Sequence, residues 1–248
     1  MAEPPTKRVH AKLGSKLFEF AADEETNFQN AAYELIEEMH FFDTIATLMS
    51  NWLNRNGHLL PEESIFYSLC SFMRTQMFQG CSTFMRGHLS TGMVTARLCV
   101  ESALYADAIA GGYITEEDYL TDDAKRENLT RHLRNFQRDG RLPKRMEIEL
   151  ECISMLSAHG AHAEVQVWGN RLIGGPGEGW YLSYFQKPKS PERFAYDFLG
   201  IMWFAGLSFM SFLLIGQEKF GIDCREYLDA LRAWQDEMEQ NKLKFRVA

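Results

Sequence analysis

A chain of 248 residues, 46% of them hydrophobic and 24% charged, can bury one full-sized core and sits near the upper end of what a single domain holds. Its formal charge of −8 excludes overall attraction to nucleic acid or anionic membrane, so any site for a polyanion must be local. The five cysteines, Cys70, Cys81, Cys99, Cys152 and Cys224, are scattered without a C-x-x-C pair, and read as free, buried thiols of a reducing cytoplasm.

Residues 1–22 carry basic side chains but no continuous apolar run. They read as a flexible arm rather than a signal peptide or anchor, with residues 23–248 as a single domain. From about residue 25 to 54, Phe28, Ala31, Leu35, Met39, Phe42, Ile45, Met49 and Trp52 recur at spacings of three and four, which predicts one long amphipathic helix ending near Gly57. A second helical stretch opens at Pro61 and runs to about Ala110, with a break near Gly80 or Gly87, and Gly111 and Gly112 end it. Thr115 with Asp118 resembles a capping box and starts a third helix reaching about Asp139. A fourth runs from about Pro143 to His159. Val165 and Val167, then Trp180, Leu182 and Tyr184, alternate with polar or outward residues around the glycine-rich turn at 174–179, the pattern of a β-hairpin.

Residues 198–216 form nineteen positions without a charge, a length that can span a bilayer. Three glycines and two serines dilute the run, no second such segment exists, and Asp197, Glu218 and Lys219 bracket it. It therefore reads as the central helix of a large bundle, apolar all round. The last helix, from Asp223, carries Tyr227, Leu231, Trp234, Met238 and Phe245 as a narrow stripe suited to the bundle surface or to another subunit. The expectation is an all-α fold: a bundle of about six helices with one short β-hairpin insertion, soluble and cytoplasmic, with no membrane contact.

Three groups of residues are candidates for chemistry. Arg97 and Glu101 share a helix face with Met93, Val94, Leu104 and Ala108. They read either as a buried ion pair that fixes helix register or as part of a site; both readings need a further polar partner. Ser157, His159, His162 and Glu164 cluster at the end of the fourth helix and could supply it. Metal is not expected, because a di-iron bundle needs two Glu-x-x-His units and only Glu37 with His40 has that spacing. The third group is the segment 125–145, with eight Lys and Arg against two acids. Within it Arg131, Arg134, Arg138 and Arg141 line one face, which reads either as a solvated surface or as a phosphate site built from forked guanidinium donors. Neither a GxxxxGK[ST] loop nor a G-x-S-x-G elbow occurs, so no cofactor is expected.

An apolar helix bearing Arg97-x-x-x-Glu101, followed by a helix ending in Leu156-Ser157-x-His159, resembles a set of uncharacterised bacterial helical proteins grouped as HEPN-like. The resemblance covers about residues 84–162. It implies a helical bundle, often dimeric, found among toxin, phage-defence and RNA-processing systems. It also implies Arg97, Glu101, His159 and His162 as catalytic candidates. Catalytic relatives cut RNA without metal through an Arg-x4-6-His motif, and Arg126 to His132 is the stretch at that spacing, with Glu127 where the family has a small amide or other polar residue. The expected function is binding of RNA or another phosphate-bearing ligand through Arg131, Arg134, Arg138 and Arg141, with nuclease or toxin activity as its further implication. The alternative is a non-catalytic interaction or oligomerisation module with a structural polar core. A homodimer is expected from the stripe on the last helix.

Overall fold

Apolar residues at helical spacing build nine helices among the described residues of the computed structural model, which are 15–56, 64–160, 172–175, 179–182, 185 and 190–245. They are α1 (Ser15–Glu34), α2 (Met39–Asn56), α3 (Ser64–Met85), α4 (Leu89–Ala110), α5 (Glu116–Thr121), α6 (Asp123–Arg138), α7 (Lys144–Gly160), α8 (Pro191–Phe220) and α9 (Arg225–Phe245). The fold is all-α, as the periodicity predicts. Two four-residue strands, β1 (Leu172–Gly175) and β2 (Gly179–Leu182), pair antiparallel with Leu172 opposite Leu182. The expected first strand around Val165 and Val167 lies outside the described residues.

Helix α8 forms the centre. Ser190 caps its start by accepting a hydrogen bond from the Arg193 amide, Pro191 occupies the first turn, and Gly221 ends it in the left-handed conformation at φ 67°; each is a residue type suited to that position. Phe198, Phe209 and Phe212 are fully enclosed, and burying a side chain of that kind contributes about 1.5–3 kcal/mol. By length and hydropathy α8 could cross a membrane, and 72% of its most apolar window is buried inside the fold.

The helices α3 and α4 form the most closely packed pair, because small residues meet at their crossing. A Cβ at Gly92 would lie 2.9 Å from Phe84 Cβ and 3.1 Å from the Gly80 carbonyl oxygen, while one at Gly80 would overlap the Thr95 hydroxyl. Aromatic packing ties α2 to this pair and to α8, with the Trp52 ring stacked on Tyr67 at 5.6 Å and edge-on to Phe209 at 5.9 Å. On α9, Tyr227, Leu231, Trp234 and Met238 are all buried, and Trp234 Nε1 donates to the Phe41 carbonyl at 2.9 Å. Through these four residues the α9 stripe packs within the chain against α2 and α8.

Three expectations need correction. Residues 15–22, assigned to the arm, are helical. The long first helix is two helices, because the chain turns at residues 35–38, where the Glu38 and Met39 amides both donate to the Leu35 carbonyl. Leu35 stays buried through the turn, so the apolar phase runs on unbroken while the axis changes. The break expected near Gly80 or Gly87 falls at Gly87, whose φ of 88° favours glycine, and Gly80 stays helical. The third helix divides at Asp122, which ends α5 and caps α6 by accepting from the Lys125 amide at 2.9 Å. These breaks raise the count above six.

Candidate functional site

The basic segment separates into two sets of four. Lys125 pairs with Asp118 at 2.8 Å, Arg126 with Asp123, Lys144 with Glu147 at 3.1 Å, and Arg145 with Asp107. Arg131, Arg134, Arg138 and Arg141 are all exposed, and none of them forms an ion pair among the described residues. Their contacts are neutral: Arg134 donates to the Ser154 hydroxyl at 2.8 Å, Arg138 to the Asn135 side chain, and Arg141 lies over the Phe136 ring at 4.7 Å. Helix α6 places them because its opposite face is committed to the core through buried Leu129 and Leu133, with Phe136 against it. Positions 131, 134 and 138 follow one another along a single face, and residue 141 lies past the helix end, beyond the left-handed Gly140 at φ 64°. Four guanidinium groups therefore keep their full charge on one surface of an otherwise acidic protein. Among the described residues, Glu127 at the amino end of that face forms no ion pair.

Arg97 and Glu101 do pair, with Arg97 Nε donating to Glu101 Oε1 at 2.8 Å. Their setting differs from the expected apolar stripe, since the two side chains are 34% and 18% exposed. The reason lies in the helices opposite. Tyr105, one turn further along α4, packs on Tyr119 of α5 with ring centroids 5.3 Å apart, and Arg126 donates to the Tyr119 carbonyl at 2.6 Å. Burial raises the Tyr105 hydroxyl pKa above its ordinary value, with the Glu101 charge adding to the effect. The pair thus sits at the open edge of a polar seam. The side chain of His159 falls outside the described positions, and His162 lies outside the described residues. Arg126 and His132 are six positions apart, about 240° around the helix, and they face different neighbours: Arg126 meets Tyr119, and His132 stands edge-on to Phe136 at 4.8 Å.

Sequence reasoning missed a buried acid pair. Asp107 of α4 and Glu149 of α7 are 4% and 1% exposed. Arg145 grips Asp107 with both carboxylate oxygens engaged by Nε at 3.0 and 2.8 Å, and extends to Glu218 of α8 at 3.4 Å. Ser211 of α8 donates to Glu149 Oε1 at 2.6 Å. Burial pushes the Glu149 carboxyl well above the usual carboxylate range, and the Asp107 charge pushes it further. Burial also raises Asp107, against the pull of Arg145. Glu149 Oε2 has no hydrogen-bond partner among the described residues, a position that costs a neutral carboxyl less than an ionised one. A neutral Glu149 beside an arginine-bound Asp107 spares the cluster a second buried charge without a cation of its own. The signal in the sequence was an acid inside each of two apolar helical runs, which requires a buried partner; Arg145, assigned to the basic surface, is that partner.

No family model, curated protein or solved structure matches this chain. Among the described residues, no three His, Cys, Asp or Glu side chains are placed to hold a metal ion. The chemistry on offer is therefore a solvent-facing row of unneutralised guanidinium groups on α6, a half-open Arg97–Glu101 pair, and an enclosed acid pair whose role is to join α4, α7 and α8.

Proposed function

We propose that the chain binds RNA through the exposed face of α6, as a HEPN-like helical protein. The observation that carries this reading is the division of the basic segment. Among the described residues, Arg131, Arg134, Arg138 and Arg141 have no carboxylate partner, although the protein as a whole is acidic at −8. Forked guanidinium donors match phosphate oxygens, and a row along a helix suits a repeating phosphate backbone better than a single anion. His132, exposed next to Arg131, offers a ring face on which an unstacked base can lie.

Binding, rather than cleavage, is the function proposed. The Arg126 guanidinium is held by the Tyr119 carbonyl and Asp123, and Arg97 is neutralised by Glu101. Fluorescence anisotropy with a labelled single-stranded RNA of mixed sequence tests the reading. The parent should bind at low salt, and Arg134→Ala with Arg138→Ala should weaken binding by about tenfold or more. Equal binding by parent and variant, or none by the parent, removes the proposal.

A further inference from the structure

A cavity of about 440 Å³ opens between the amino end of α3, the carboxyl ends of α4 and α8, and the start of α5. Protein interiors are normally packed without voids larger than a water molecule, and a space of this volume falls in the range of small-molecule sites. Its origin is local. Ala106 and Ala110 of α4 present methyl groups where larger side chains would close the gap, and Phe66 and Leu69 of α3 face Ile215 and Phe220 of α8 across it. The Asp107–Arg145–Glu218 cluster lies next to these residues in the chain and fixes α4 relative to α7 and α8. The walls of the cavity are therefore set by contacts that do not fill it.

Two charged side chains belong to the lining, Glu116 of α5, half-buried, and Lys219 of α8, exposed. They bear opposite signs, and neither forms an ion pair among the described residues, with each other or with any third group. Two helix amino ends and two carboxyl ends border the space, so backbone dipoles favour neither sign. The complement is an apolar body bearing one cationic and one anionic end.

We propose that this cavity binds a short apolar peptide with free termini, its ammonium on Glu116, its carboxylate on Lys219, and its side chains against Phe66, Leu69, Ile215 and Phe220. The site is independent of the arginine face of α6. Isothermal titration calorimetry with leucyl-phenylalanine tests it on the full chain. Saturable binding at one site is expected, weakened about fivefold to tenfold by Lys219→Met or by Glu116→Gln, as for loss of one charge-assisted contact. The N-acetylated dipeptide should be insensitive to Glu116→Gln, and the C-amidated dipeptide insensitive to Lys219→Met. Ala110→Trp should abolish binding by filling the space; because that variant risks misfolding, its helicity is checked by circular dichroism, and the two charge variants at the cavity mouth carry the decision if it fails. Absence of saturable binding overturns the proposal. So does equal binding of the free, acetylated and amidated dipeptides, or binding that survives in a folded Ala110→Trp protein.

Discussion

Replacing Glu149 by glutamine should stabilise the protein at neutral pH and flatten the dependence of its stability on pH. Glutamine is nearly the shape of a protonated glutamic acid: its carbonyl oxygen can accept from Ser211, which lies 2.6 Å from Glu149 Oε1, and its neutral amide takes the place of the protonated oxygen. In the unfolded chain a glutamate ionises near pH 4.3, whereas in the fold burial and the Asp107 charge hold the Glu149 proton to higher pH. The folded state therefore binds more protons than the unfolded state above that value. The stability associated with this group is complete below about pH 4.3 and falls by about 1.4 kcal/mol per pH unit as pH rises through the folded value. Glutamine has no proton to hold, so the variant should gain on the parent across the same window, by about 1–4 kcal/mol at pH 7. Other raised acids, Glu38 among them, are common to both proteins and cancel in the difference. Urea unfolding at pH 5, 6, 7 and 8 gives that difference from the midpoints at constant slope. A variant less stable than the parent at every pH, with the same pH profile, would mean that Glu149 is ionised in the fold and that the account of a neutral Glu149 is wrong.

Arg145→Met removes the counter-charge of an Asp107 that is only 4% exposed, and should lower stability by about 3–5 kcal/mol at neutral pH, with a smaller loss in acid, where Asp107 protonates. At the Arg97–Glu101 pair, 34% and 18% exposed, either single alanine substitution should cost no more than about 1 kcal/mol in a chemical melt; a loss of several would restore the buried reading. Gly92→Ala places a methyl group 2.9 Å from Phe84 Cβ and 3.1 Å from the Gly80 carbonyl, and should lower the thermal midpoint by the equivalent of about 1–3 kcal/mol. An unchanged midpoint would show that α3 and α4 can separate at their crossing.

Helix type was legible wherever a long apolar period coincided with a cap. Thr115, Ser190 and Gly221 all act as their residue types predict, and the apolar run at 198–216 lies in the central helix. Breaks were harder to see. The turn at 35–38 keeps Leu35 on the inner side, so a period of three and four crosses it without a mark, and Asp122 serves as the end of one helix and the cap of the next. Charged residues were read least well, because periodicity reports which face is apolar and not which charges will meet. Arg145 lay in the same basic run as Arg141, yet one reaches 38 positions back to Asp107 while the other stays on the surface. The exposure of Arg97 could not be foreseen from α4 alone, since the seam beside it is built by Tyr119 and Arg126 of α5 and α6.

The salt dependence of RNA binding tests the central claim most directly. Each phosphate neutralised on a single strand contributes about −0.7 to the slope of log affinity against log salt, so four arginines contacting four phosphates predict a slope of roughly −3. Replacing Arg131, Arg134, Arg138 and Arg141 together by alanine should bring that slope close to zero and leave the fold intact, because none of the four is buried. A slope near zero in the parent, or a slope of about −3 that survives the fourfold replacement, would contradict the assignment of the α6 face as the RNA-binding surface.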